Sequence, residues 1–123
     1  MRIAISTGGR DLGQFVDEQF GRCSYFMFCD SDDPQSTVEY KDNPALSGTG
    51  GAGIAAAEYV ANEKAEVLIT GSLGPNALRV IEAGNIPAFT ASESMTLSEA
   101  IMAWKAGNLV KISEAGAAHA GER

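Results

Sequence analysis

Residues 66–77 of this chain read EVLITGSLGPNA, and their pattern decides the fold class. Residues 67–69 form a short apolar run, which is typical of a strand covered on both faces. Gly71 and Gly74 then form a turn, and Pro75 stands where the first residue of a helix is expected. A buried strand that leads through a glycine turn into a helix is a building unit of α/β proteins. This stretch therefore predicts an α/β fold.

The same alternation continues toward the C-terminus. The helix is expected to end at Gly84, and residues 86–89 have the apolar character of a short strand. Thr96 and Glu99 have the spacing of a capping box, so a last helix should follow Thr96 and stop before Gly107. Alternating helices and strands indicate parallel strands joined by right-handed crossovers.

The N-terminal part differs, with three predicted strands before the first helix. Residues 2–6 and 37–41 alternate between apolar and polar side chains, and residues 25–29 form an aromatic run that should be well covered. Residues 10–22 lack any period and are expected to form a long loop. Residues 54–62 are alanine-rich, with an apolar face at helical spacing. The predicted order of elements is therefore β-β-β-α-β-α-β-α.

This order predicts a three-layer α/β/α domain with a five-stranded mixed sheet, in which the second strand alone is antiparallel. We expect a single domain over residues 1–112, since a chain of 123 residues suffices for one hydrophobic core. Residues 113–123 are mainly Ala, Gly and charged side chains, and we expect a disordered tail there. The carboxyl ends of the other four strands should share one edge, where ligands of open α/β sheets bind.

The charge of the chain narrows the classes of partner. Nine Lys and Arg against sixteen Asp and Glu give a net charge of −7 and a pI near 4.5, which excludes broad binding to nucleic acid or to an anionic membrane. Two Cys and one His are too few for a structural zinc site. No apolar run has transmembrane length, and residues 1–6 are too short for a signal-peptide core, so we expect a cytoplasmic protein.

Two glycine-rich helix starts fall on the predicted ligand edge. Residues 48–53 read GTGGAG and precede the first helix, and the turn before Pro75 is similar. Backbone N–H groups and the positive end of a helix dipole suit such starts to anions. A turn that only lets the helix pack closely is the alternative. The candidate ligand-binding residues here are Gly50, Gly51, Gly53, Gly71, Gly74 and Asn76.

Cys23 is the candidate for a soft metal ligand. Arg10 and Arg22, themselves candidates for binding an anion, should favour the thiolate form of Cys23, and a thiolate suits iron, copper or cluster metals. Burial as a small apolar side chain is the alternative. Such burial is the expected role of Cys29. On a continuous strand, Cys29 would face the same side as Cys23, but it would lie too far along the strand to share a site. His119 is expected in the solvated tail.

The sequence contains no catalytic constellation. With His119 as its one histidine, the chain cannot form a Ser-His-Asp triad on its core. Asp11 and Asp17 belong to one predicted loop and Asp30 to the far end of a strand, so these acids do not predict a carboxylate metal centre. We therefore expect a binding protein and not an enzyme.

Several blocks of the chain, in their order, carry a resemblance to a known family. They are residues 2–6 (RIAIS), 20–26 (FGRCSYF), 43–44 (NP), 50–56 (GGAGIAA) and 69–77 (ITGSLGPNA). Over residues 1–112 the chain resembles the dinitrogenase iron-molybdenum cofactor biosynthesis family, of the NifX-like and NifB C-terminal type. It looks like a small stand-alone member.

The resemblance implies a ribonuclease H-like fold and a protein that binds, carries or hands over a metal–sulfur cluster of the iron-molybdenum kind, or its precursor, without catalysing a reaction. It implies a binding edge at Arg22 and Cys23, at residues 50–53 and at residues 71–76. The alternative is an adaptor or regulator that contacts an ATP-dependent iron–sulfur assembly protein. A nuclease is suggested by analogy of fold alone. Monomer and homodimer both stay open.

Overall fold

Strands and helices alternate through the part of the chain that the computed structural model describes, which is residues 1–48 and 51–114. The strands are β1 (Arg2–Thr7), β2 (Tyr25–Asp30), β3 (Glu39–Asp42), β4 (Val67–Thr70), β5 (Ala88–Thr90) and β6 (Val110–Lys111). The helices are α1 (Pro34–Thr37), α2 (Ala52–Asn62), α3 (Pro75–Ala83) and α4 (Leu97–Lys105), with 3₁₀ turns at Phe20–Arg22 and Pro44–Ser47.

The strands form one mixed sheet in the order β3-β2-β1-β4-β5-β6. β1 pairs in parallel with β4, and β4 with β5, while β2 and β6 run against their neighbours. The register places Thr7 beside Tyr25, Tyr25 beside Asp42, and Thr70 beside Thr90. The carboxyl ends of β1, β3, β4 and β5 therefore gather at one edge. The predicted α/β fold is confirmed, and so is this shared edge.

The strand count differs from the prediction, since the described sheet has six strands and two of them run against the other four. The strand that the sequence did not reveal is β6, whose Val110 and Lys111 pair with Thr90 and Phe89. Both residues of β6 are exposed, and two residues are too few to show an alternation of apolar and polar side chains. Their pairing depends on the free edge of β5 and not on a local pattern.

Helices cover both faces of the sheet, as a three-layer architecture requires. Alternate residues of a strand point to opposite faces, so the sheet contributes to two separate cores. α2 and α3 pack over the core that contains Ala4, Phe26, Phe28 and Leu68, and α4 packs over the core that contains Ile3, Ile5, Met27 and Ile69. All eight side chains are fully buried. Burial stabilises the fold by about 1.5–3 kcal/mol for each of the larger ones.

The last helix, α4, begins as the sequence predicted. The Thr96 hydroxyl accepts a hydrogen bond from the backbone N–H of Glu99 at 3.1 Å, and the Glu99 carboxylate accepts one from the Thr96 N–H at 2.9 Å. This reciprocal capping box satisfies two N–H groups that a helix start otherwise leaves unpaired. Within the described residues, no helix is both long enough and apolar enough to cross a bilayer.

Candidate functional site

A pocket of about 450 Å³ opens at the carboxyl edge of the sheet, where the 3₁₀ turn Phe20–Arg22 meets the first turns of α2 and α3. We call it the edge pocket. Its described lining consists of residues 18–22, 51, 53, 54, 72 and 74–77. The pocket thus lies on the loops to which the sequence assigned ligand binding.

Close approach of three backbone segments forms the floor of the edge pocket. A β-carbon added to Gly21 would lie 3.0 Å from the backbone nitrogen of Gly53, and one added to Gly53 would lie 3.4 Å from the β-carbon of Ala77. The first of these distances is shorter than an ordinary van der Waals contact between such atoms. Gly21 therefore lets the 3₁₀ turn lie directly against the start of α2.

Two helix starts face the edge pocket without side-chain caps. The N-cap of α2 is Gly51, at a φ of +65°, and the N-cap of α3 is Gly74. Glycine has no side-chain oxygen, so neither residue can accept a hydrogen bond from the first turn as Thr96 does for α4. The N–H groups of Gly53 and Asn76 lie in these first turns, where the helix dipole adds positive potential. The arrangement suits an anion.

Arg22 and Glu18 are the charged side chains of the described lining, and they act in opposite directions on an anion. The Arg22 guanidinium would attract it. Glu18 faces Glu93, and the hydrogen bond and the negative charge of Glu93 raise the pKa of Glu18 above its ordinary value. Asn76 adds a neutral group: its amide oxygen accepts a hydrogen bond from Arg79 at 3.0 Å, which leaves the amide N–H groups as donors.

The thiol of Cys23 lies behind the edge pocket and does not line it. The residue is fully buried, and its Sγ donates a hydrogen bond to the carbonyl oxygen of Phe20 at 3.4 Å. Burial, together with the negative charge of Asp17, raises the pKa of this thiol to about 12. The predicted thiolate character is therefore wrong, because the side chain is buried in the core beneath α2 and α3.

Cys29 is buried too, but in the other core, beneath α4. The prediction that Cys23 and Cys29 lie on one strand face is wrong. Cys23 precedes β2, so its side chain does not follow the alternation of β2 residues between the two faces of the sheet. The conclusion that they form no common site is unchanged.

The predicted ligand-binding residues divide into three groups. Those that line the edge pocket are Arg22, Gly51, Gly53, Gly74 and Asn76. Those that lie elsewhere are Cys23, Gly71, which packs against the backbone of Glu18, and Arg10, whose guanidinium lies 5.5 Å above the ring of Tyr25. Gly50 lies outside the described residues, as does His119.

Sequence reasoning did not single out Gly21, Glu18 or Asn43 as parts of the site. Gly21 had a usable signal, because a glycine between a loop and a strand can indicate close backbone approach. Glu18 carried no such signal, since its neighbour Glu93 is distant in sequence. Asn43 donates hydrogen bonds to the backbone carbonyls of Gly21 and Cys23 behind the pocket. These partners are distant in sequence, so no local pattern predicts the bonds.

The described donor set fits an anionic group better than a bare cation. Within residues 1–48 and 51–114, no three His, Cys, Asp or Glu side chains are arranged to hold a metal ion. The edge pocket offers N–H groups and a guanidinium instead. Such donors bind the outer oxygen or sulfur atoms of an anion.

Solved structures of similar size resemble this chain. One is a high-resolution structure of the apo form of the orange protein from Desulfovibrio gigas, with a TM-score of 0.89 and 32% identity over 94% of this chain and 96% of that one. Another is an NMR structure of a Thermotoga protein of the DUF35 family that bears a provisional NifB name, with a TM-score of 0.75 and 28% identity over 89% of this chain and 91% of that one. No curated protein matches the sequence.

The match to a family extends over most of the chain. Residues 1–107 match the family described as dinitrogenase iron-molybdenum cofactor. This range contains all three segments that meet at the edge pocket. The chain therefore belongs to the dinitrogenase iron-molybdenum cofactor family.

Proposed function

We propose that this protein binds and carries an anionic metal–sulfur cluster, or the oxo- or thiometallate precursor of one, and catalyses no reaction on it. The observation that carries the proposal is the edge pocket, where two helix starts without side-chain caps meet Arg22. Backbone N–H groups and a guanidinium would bind the terminal sulfides or oxides of such a cargo.

The comparisons support a cargo of this kind. The description of the family names the iron-molybdenum cofactor. A cluster that contains iron and molybdenum is therefore the favoured cargo. The structure of the orange protein is that of an apo form, a term for a protein without its bound group.

The chemistry of the described donors favours contact with the outer atoms of the cargo over bonds from protein to metal. Cys23 as a metal ligand stays a prediction. Its protonated thiol would first have to leave the Phe20 carbonyl and the core around it. The edge pocket itself needs no such rearrangement to receive an anion.

Anaerobic reconstitution with iron, sulfide and molybdate tests this function, with Lys64→Gln as the control for Arg22→Gln. Each variant removes one positive charge, but Lys64 follows the far end of α2. Wild type and Lys64→Gln should retain stoichiometric metal, seen by elemental analysis and absorbance. Arg22→Gln should bind about tenfold more weakly, as expected for one lost charge-assisted hydrogen bond.

Folded wild type that retains no metal would show the binding function to be wrong. Cys23→Ser is a separate arm that decides the role of the thiol. Retention of metal by folded Cys23→Ser would exclude Cys23 as an essential ligand and leave the backbone donors sufficient. Loss of metal from the same folded variant would make the thiol a ligand.

A carrier receives its cargo from one protein and releases it to another. Cofactor-assembly or iron–sulfur assembly proteins of the cytoplasm are therefore the partners that belong to this proposal. Co-purification under anaerobic conditions tests for them. A chain that stays metal-free in reconstitution, yet co-purifies with an iron–sulfur assembly ATPase, would favour the adaptor function instead.

A further inference from the structure

We infer that Asn43 is a positioning residue for the edge pocket. It lies behind the pocket wall and holds the backbone on both sides of Arg22. The inference rests on the proposed function for its ligand, an anion with terminal sulfides or oxides. Asn43 does not line the pocket, and it acts through the segment that does.

The side-chain amide of Asn43 is buried and fully engaged. Only 3% of the residue is exposed. Its Nδ2 donates to the carbonyl oxygen of Gly21 at 3.2 Å and to that of Cys23 at 3.0 Å. Its Oδ1 accepts a hydrogen bond from the backbone N–H of Ala45 at 3.0 Å. One amide thus uses both its donor and its acceptor side on backbone groups.

The two carbonyls that Asn43 holds belong to the residues immediately before and after Arg22. The Gly21 bond fixes the peptide plane that leads into Arg22, and the Cys23 bond fixes the plane that follows Cys23, so the backbone is held on both sides of Arg22. Gly21 is also the residue that lies against the Gly53 nitrogen at the start of α2. Through Gly21, Asn43 sets the distance between the 3₁₀ turn and the helix start that would share the anion.

The acceptor side of Asn43 orders a second segment. The backbone N–H of Ala45, which donates this hydrogen bond, lies at the start of the 3₁₀ turn Pro44–Ser47. In the chain, this turn comes before Gly51, the N-cap of α2. Asn43 consequently connects the turn that lines the pocket with the turn Pro44–Ser47, which does not line it. A buried polar group without a partner is destabilising, so the Gly21 and Cys23 carbonyls would reorganise if the amide were removed.

Asn43→Asp keeps the shape and the acceptor oxygen but loses the Nδ2 donors and adds a negative charge. Asn43→Ala removes donors and acceptor without a change of charge, so weaker anion binding in this variant cannot come from charge repulsion. Thr96→Ala is the matched control for lost stability, since it breaks the capping box of α4 on the other face of the sheet. We would measure binding of tetrathiomolybdate, an anion with four terminal sulfides, at a temperature where melting curves show all variants folded.

Both Asn43 variants should bind tetrathiomolybdate at least about tenfold more weakly than wild type, the loss expected for one charge-assisted hydrogen bond. Thr96→Ala should bind as wild type does. Equal weakening in Thr96→Ala would overturn the inference, because the loss would then follow stability. Wild-type affinity in folded Asn43→Ala, which adds no charge, would overturn it as well.

Amide NMR of the ligand-free variants separates this inference from the proposed function. In Asn43→Asp the backbone signals of Gly21, Arg22 and Gly53 should move, while those of α4 stay in place. Unmoved Gly21 and Gly53 signals would overturn the positioning role. If wild type fails to bind tetrathiomolybdate while these signals move, the proposed function fails and the positioning of the wall is upheld.

Discussion

At the scale of single residues, Glu18 places a negative charge on the rim of a pocket suited to anions. Its carboxylate faces Glu93, and both side chains are exposed. Glu93, and more weakly burial and Asp17, raise the pKa of Glu18. The folded chain therefore binds this proton more tightly than the unfolded chain does. Stability falls as the pH rises from the ordinary pKa of Glu through the raised one, and the loss persists above it.

Glu18→Gln should therefore stabilise the protein at pH 7, because it removes the repulsion between like charges. The gain should disappear below about pH 4, where the wild-type carboxyl is protonated. Urea unfolding at the two pH values measures this difference. Glu58→Gln, on the exposed face of α2, is the control for loss of one negative charge. Identical pH dependence in the two variants would show that Glu93 exerts no repulsion on Glu18.

The glycines of the edge pocket could be predicted from the sequence, whereas the protonation state of Cys23 could not. Gly51, Gly53 and Gly74 were predictable, because a glycine before a helix indicates where backbone N–H groups are exposed. The thiolate state of Cys23 was not, since adjacency to Arg22 does not show which way the sulfur points. The structure turns the sulfur into the core, where burial raises its pKa.

At the scale of elements, the end of β4 lies against the loop that leads into the first 3₁₀ turn. A β-carbon added to Gly71 would lie 2.3 Å from the α-carbon of Glu18, a distance that backbone atoms cannot accept. The parallel bridge between Gln19 and Ser72 continues this contact toward the edge pocket. Gly71 is thus required for packing between two elements and does not itself line the pocket.

Gly71→Ala should lower the free energy of unfolding by about 1–3 kcal/mol, the range for overpacked sites. Gly8→Ala is the control, because a β-carbon there would meet nothing within 4 Å. It should change stability by less than about 0.5 kcal/mol. Chemical denaturation measures both. A Gly71→Ala variant as stable as Gly8→Ala would mean that the β4 end and the loop are farther apart than described.

Elements with local signals were predictable, and elements that depend on distant partners were not. The capping box of Thr96 and Glu99 predicted the start of α4, because both bonds form within one turn. Pro75 and Gly84 likewise bracketed α3. In contrast, β6 exists because β5 offers a free edge, and the contact of Gly71 with Glu18 joins segments distant in sequence.

At the scale of the whole molecule, each of the two cores contains one buried thiol. Cys23 lies in the core beneath α2 and α3, and Cys29 lies in the core beneath α4. Neither side chain is exposed. Burial raises the pKa of Cys23 to about 12 and that of Cys29 to about 11. Both thiols are therefore protonated at neutral pH.

Native protein should resist iodoacetamide at pH 8 at both cysteines, with rates at least about a hundredfold below those in urea, since the thiolate is the reactive form. Mass spectrometry after timed quenching measures each site, and Cys23→Ser and Cys29→Ser assign them. Rapid alkylation of Cys23 in folded protein would contradict its burial and would place the sulfur within reach of the edge pocket.

The position of β1 has a consequence for synthesis on the ribosome. β1 is the first strand of this sheet to emerge, yet it lies inside the sheet, between β2 and β4. β2 can pair with it early, and β3 with β2, but the other edge of β1 stays open until residues 67–70 have been translated. Exposed strand edges promote association between chains. The nascent chain is therefore most vulnerable to misassembly, and most in need of a chaperone, before β4 arrives.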